Sequence, residues 1–169
     1  MTKPKKLAYP VDVWGRLHSI FEGSSEELPE IYFDNLTSDQ LAACLIYLMN
    51  YCREVNSRFK LTGTNVTVDA ASPEAAIRAI VRGEISAAIM MDFPGIPAII
   101  VYVREADSMA LSYVRGQWTA QSAIAFFDLM HQLVTIAPNA EVVPDYYDFT
   151  PEEQSTFMEV WREFHHAAL

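Results

Sequence analysis

Cysteine, glycine and positive charge are all scarce in this 169-residue chain. The two cysteines, Cys44 and Cys52, stand eight positions apart in what the apolar spacing predicts to be one helix. Eight residues of helix separate their Cα atoms by about 12 Å, and a disulfide spans less than about 7 Å. The pair is therefore expected to be reduced, as in a cytoplasmic protein, with both side chains serving as small core residues. The six glycines are scattered. They form no P-loop, no G-x-G-x-x-G turn and no G-x-S-x-G elbow, so no nucleotide or other cofactor motif is present. Twelve Lys and Arg face twenty-two Asp and Glu, for a net charge of −10. A nucleic-acid binder needs clustered cations for phosphate contacts, and the only cluster is Lys3, Lys5 and Lys6, within an expected N-terminal tail over residues 1–10.

Disorder is excluded by composition, since 51% of residues are hydrophobic and only 20% charged. A membrane span is excluded as well. The most apolar stretch, "IMMDFPGIPAIIVYV" from Ile89 to Val103, carries Asp92, Pro94, Gly95 and Pro97 at its middle. A spanning helix needs about 20 residues that are most apolar there. "MTKPKKLAYP" leads into no apolar run, so no signal peptide is expected.

What is present is a sequence with well-marked helix starts. Thr37 and Gln40 form a T-x-x-Q capping box, flanked by Leu36 and Leu41 at the staple positions. The spacing of Leu41, Cys44, Leu45, Leu48, Met49, Cys52 and Val55 extends that helix to about Asn56. Ser72-Pro73-Glu74 predicts a helix to about Arg82, and Thr119 caps one that stops before Pro138. Thr150, Pro151 and Glu153 combine a capping box with proline at the first helical position, starting a helix to about His166. An amphipathic segment from Val11 to Phe21 makes five helices. Strands are predicted near residues 64–69, 85–91, 98–103 and 109–114, the last three joined by the "DFPGIP" and "READS" turns as an antiparallel meander. The fold class is α+β in one domain over residues 1–169. Because Ala98 to Val103 is apolar on both sides, the sheet is expected to be covered on both faces, by helices or by a second subunit.

Candidate sites are few. Asp92 is the lone carboxylate of the apolar run, but beside a Pro-Gly turn it reads as an ordinary turn residue. Glu159, Glu163 and His166 fall on one face of the last helix with metal-ligand chemistry. A solvated acidic face, with His165 and His166 suited to the negative helix end, accounts for them without a metal. His131 lies on a very apolar helix, and Asp92, Tyr102 and His131 are the polar groups that a pocket between sheet and helices would draw on. The most distinctive polar feature is "DYYDF", in which Asp145 and Asp148 bracket Tyr146 and Tyr147. "EGSSEELPEIYFD" repeats the theme with Glu30 and Tyr32 among five acids. Tyrosine supplies rigid amphipathic contact area, and adjacent acids steer and pair with cations. These residues point to a small, acidic protein-interaction protein, for example an inhibitor or immunity-type protein covering a basic toxin or nuclease of a bacterium. The competing expectations are a small-molecule binder or enzyme using the pocket residues, and a homodimer or larger homo-oligomer.

Overall fold

The computed structural model describes residues 11–169, so the expected tail over residues 1–10 lies outside the described residues. The protein is α+β. Five helices, α1 (Val13–Phe21), α2 (Ser38–Tyr51), α3 (Pro73–Val81), α4 (Ala120–Ile136) and α5 (Pro151–Ala168), accompany seven strands. The strands are β1 (Glu30–Asp34), β2 (Arg53–Leu61), β3 (Thr67–Val68), β4 (Ile85–Phe93), β5 (Ile96–Glu105), β6 (Ser108–Tyr113) and β7 (Glu141–Pro144). They form one antiparallel sheet in the order β3-β2-β4-β5-β6-β1-β7.

The helix starts behave as their sequences dictate. Thr37 and Gln40 close a reciprocal capping box on α2, and the staple leucines Leu36 and Leu41 are both buried. Thr150 and Glu153 do the same for α5, with Pro151 at its first turn. Ser72 accepts from the Ala75 amide at the start of α3, and Thr119 caps α4. The β4–β5 hairpin turns at Pro94-Gly95, where Gly95 takes φ +77°, a conformation that a side chain would strain.

Three expectations of extent are corrected. The sheet has seven strands, not three or four. The predicted helix to Asn56 ends at Tyr51, because Cys52 is extended and the chain from Arg53 pairs with β4. Helical spacing at Cys52 and Val55 is outweighed there by a ladder whose partner is distant in sequence. The predicted strand over residues 64–69 is reduced to Thr67–Val68.

Among the described residues, helices cover only one face of the sheet. Burial alternates strictly along β4, with Ile85, Ala87, Ile89, Met91 and Phe93 buried and Met90 exposed between them. In β5, Ile99, Val101 and Val103 are buried while Ala98, Ile100 and Tyr102 are exposed or half-buried. The buried set, with Ile31, Phe33, Leu111 and Tyr113, packs under the helices in one continuous core. An aromatic cluster of Phe21, Tyr113, Trp118 and Phe126 fills one end, with Phe21 and Trp118 centroids 4.8 Å apart. Apolar residues on both sides of β5 therefore mark a helix-covered face and an open apolar face, rather than two covered ones. Among the described residues, no helix is long and apolar enough to cross a membrane.

Candidate functional site

The open face is organised by register. Residues paired across an antiparallel ladder point to the same side, so one row runs across six strands: Arg58, Ala88, Tyr102, Ala110, Tyr32 and Val143. A second row places Met90 and Ile100 beside Ser112 and Glu30. At the β1/β7 end the row opens into a groove of about 580 Å³. Tyr32 and Tyr102 wall it, Ala110 lies between them, and Asp34, Glu105, Asp107, Asp145 and Tyr146 line it further.

The two acidic-aromatic loops meet here. β1 pairs with β7, and the Asp145 amide donates to the Glu30 carbonyl at 3.1 Å. The Glu30 amide in turn donates to the Asp148 carboxylate at 3.0 Å. Arg115 clamps the loops from below, donating to the Glu27 carboxylate at 2.6 Å and to the Asp148 carbonyl at 3.2 Å. The Asp145 carboxylate accepts from the Tyr147 amide, the local bond expected of Asp in a turn. Tyr146 and Tyr147 are left 74% and 98% exposed.

Inside the groove the charges sort into those with an ion-pair partner and those without. The Arg104 guanidinium makes a two-pronged bond to Glu30 at 2.7 and 2.8 Å and lies 4.5 Å from the Tyr102 ring centre. The Glu30 pairing holds Arg104 firmly cationic. Burial pushes the Glu30 carboxyl up, but hydrogen bonds from Arg104 and Tyr32 outweigh it and leave it below the ordinary value. Tyr32 donates its hydroxyl to Glu30 at 2.7 Å, with Asp145 at 3.5 Å. Burial, then the bond to Glu30, pushes its pKa up to about 12. Tyr32 is thus locked as a protonated donor and is no general base at neutral pH. With Arg104 neutralised by Glu30, the lining carboxylates Asp34, Glu105, Asp107 and Asp145 have no cationic partner among the described residues. What this arrangement can do is hold a cation between tyrosine rings.

The six interaction residues expected from sequence, Glu30, Tyr32, Asp145, Tyr146, Tyr147 and Asp148, are brought together at one corner of the sheet. The three pocket residues are not. Tyr102 lines the groove, whereas neither Asp92 nor His131 does. Asp92 lies within β4 rather than in the turn, bound to Arg53 at 2.8 Å. His131 sits in the helical layer, its Nδ1 2.8 Å from Nδ1 of His165, whose ring stacks on Trp161. Glu159 and Glu163 both accept from Arg16 of α1, at 3.4 and 2.8 Å, so these acids form a surface ion pair between helices. Among the described residues, no three His, Cys, Asp or Glu side chains gather as a metal site.

Nothing in the sequence singles out Arg104, Glu105 and Asp107. They belong to "READS", which as a string is only a turn between strands. Their role follows from the β5–β6 register and from β1 adding beside β6, which brings Glu30 within reach of Arg104. Against known proteins, no family model, no curated protein and no solved structure matches this chain.

Proposed function

We propose that the protein is an interaction module whose acidic, tyrosine-walled groove receives a cationic segment of another protein. The observation that carries the reading is the set of four carboxylates, Asp34, Glu105, Asp107 and Asp145, around Tyr32 and Tyr102 with their only lining cation already paired to Glu30. A Lys or Arg side chain entering between the rings gains both cation–π and charge-assisted contacts. The exposed Tyr146 and Tyr147 supply adjacent contact area. The net charge of −10 steers a basic partner toward this surface. A concrete version is a cytoplasmic inhibitor or immunity-type protein that covers a basic toxin or nuclease.

Fluorescence anisotropy with a labelled Arg-rich peptide tests the reading. Binding is expected to weaken as salt rises, and to weaken at least tenfold in the Asp34→Asn/Asp145→Asn variant. A Glu-rich peptide should not bind. Equal binding of both peptides, or no effect of the double substitution, would remove the basis of the proposal. The pocket reading has less support, because Asp92 and His131 do not converge with Tyr102.

A further inference from the structure

The geometry points to a second copy of this chain as a partner of the open sheet face, docked about a twofold axis that lies in the interface plane and runs along the strands between β5 and β6. The inference rests on the proposed cation-receiving groove, and sets Arg58 of the second copy at its Val143 and Asp145 edge rather than between the two rings.

One row crosses the face, in the order Arg58, Ala88, Tyr102, Ala110, Tyr32, Val143. Such an axis lays the row on its own reverse. Tyr102 of each copy then comes over Ala110 of the other, and Tyr32 over Ala88. Every tyrosine of the row meets an alanine, so no two large rings of the row stand directly opposed. The axis makes the contact isologous, so each match occurs twice.

Charge follows the same reversal. Arg58 and its neighbour Lys60 stand at the β2 end of the face, both exposed, and Arg58 has no ion-pair partner among the described residues. The surplus carboxylates stand at the opposite end, on and beside β1 and β7. Reversal sets Arg58 over Val143, next to Asp145, at both ends of the interface. Between the charged ends the face is mixed, with Met90 and Ile100 sharing the adjoining row with Ser112 and Glu30, and Arg104 lying against the Tyr102 ring.

The size suits a weak, concentration-dependent dimer. Six strands at about 4.8 Å spacing give a face about 24 Å wide. Reversal lays β7, β1 and β6, of four, five and six residues, over the longer β2, β4 and β5, so the overlap runs about 17 Å along the strands. That overlap, about 400 Å², is about half of the roughly 800 Å² that each partner contributes to a stable interface.

Sedimentation over a hundredfold concentration range, on the full chain, tests the inference. The wild type is expected to shift from monomer to dimer as concentration rises. Arg58→Glu and Asp145→Lys are each expected to raise the dimer dissociation constant about tenfold or more. Combined, they restore opposite charges across the interface and should return it to within about threefold of wild type. Circular dichroism verifies that each variant is folded, and both positions are exposed or at the surface rim. The anisotropy assay is run in parallel, because Arg58→Glu leaves the groove intact and should still bind the Arg-rich peptide. A wild type that stays monomeric while binding the peptide overturns the second copy and leaves the groove reading standing. A dimer unaffected by either charge reversal places the interface elsewhere and also overturns it. If no variant binds the peptide, the groove reading itself fails.

Discussion

The Glu30 amide donates to the Asp148 carboxylate at 3.0 Å across 118 positions of sequence. This bond, with the Asp145 amide on the Glu30 carbonyl, joins the two acidic-aromatic loops into a single surface. The loops carry like charge, so their approach needs compensation. Arg115 and Arg104 supply it, Arg115 as the clamp beneath and Arg104 as the partner of Glu30.

Arg115→Ala is therefore expected to destabilise the fold and loosen both loops. Its side chain is 13% exposed and bonds Glu27 and the Asp148 carbonyl. Removing it leaves like charges close together and a carbonyl unpaired, at a cost of about 1–3 kcal/mol. Urea denaturation reads the loss, and faster amide exchange at Glu30 and Phe149 would locate it. An unchanged midpoint would show that the clamp contributes nothing.

The Glu30–Arg104 pair predicts an acid limb. The carboxyl's folded pKa lies below its ordinary value, so the pair's stabilisation is complete at neutral pH. It is lost as pH falls through the lowered pKa, below the ordinary carboxyl value. Glu30→Gln should be less stable at neutral pH by about 1 kcal/mol, a modest figure because Arg104 is half exposed, and the gap to wild type should close in acid. A gap that stays constant with pH would contradict the pairing.

The His131–His165 contact predicts a second, milder pH response. Burial, then His131, then His166, lower the His165 pKa. A lowered imidazole pKa means that the folded state favours the neutral ring. Stability is thus present above about pH 6.5 and falls as pH drops through the lowered value. Two rings with Nδ1 atoms 2.8 Å apart share one proton at most without repulsion. The urea midpoint of the wild type should fall between pH 7.5 and pH 5, and His165→Gln should flatten that slope. A slope unchanged by the substitution would remove this pair as its source.

Core and surface contacts should separate sharply in magnitude. Phe126 is fully buried in the cluster with Phe21, Tyr113 and Trp118, so Phe126→Ala should cost about 3–5 kcal/mol. Glu163→Gln breaks a bond to Arg16 whose two side chains are 35% and 51% exposed, and should cost under about 1 kcal/mol. Thermal unfolding followed by tryptophan emission measures both. Comparable losses would contradict the assigned burial.

What was legible in the sequence was local. Thr37/Gln40, Ser72-Pro73, Thr119 and Thr150/Pro151/Glu153 announce helix starts because capping is decided within four residues. The central hairpin was visible for the same reason, through Pro94-Gly95. β1 and β7 were not, because each is short and is made a strand by pairing with residues far away in the chain. β5 misled in a different way. An apolar residue at every position is what a doubly covered strand shows, but here one side packs under the helices and the other is left exposed or half-buried. The composition of the acidic-aromatic loops picked out residues that strand pairing gathers at one corner of the sheet. It could not supply Arg104, whose place beside Glu30 depends on strand order.

The most direct test of the groove as an interface is an amide chemical-shift map of the labelled protein titrated with the Arg-rich peptide. The Arg58→Glu variant is used so that self-association does not mask the face. Shifts are expected at Tyr32, Tyr102, Ala110 and Val143 and in the Asp145–Phe149 loop, with α2 and α3 unmoved. Shifts centred on the helical layer, or none at all at peptide concentrations that saturate the anisotropy signal, would contradict the assignment.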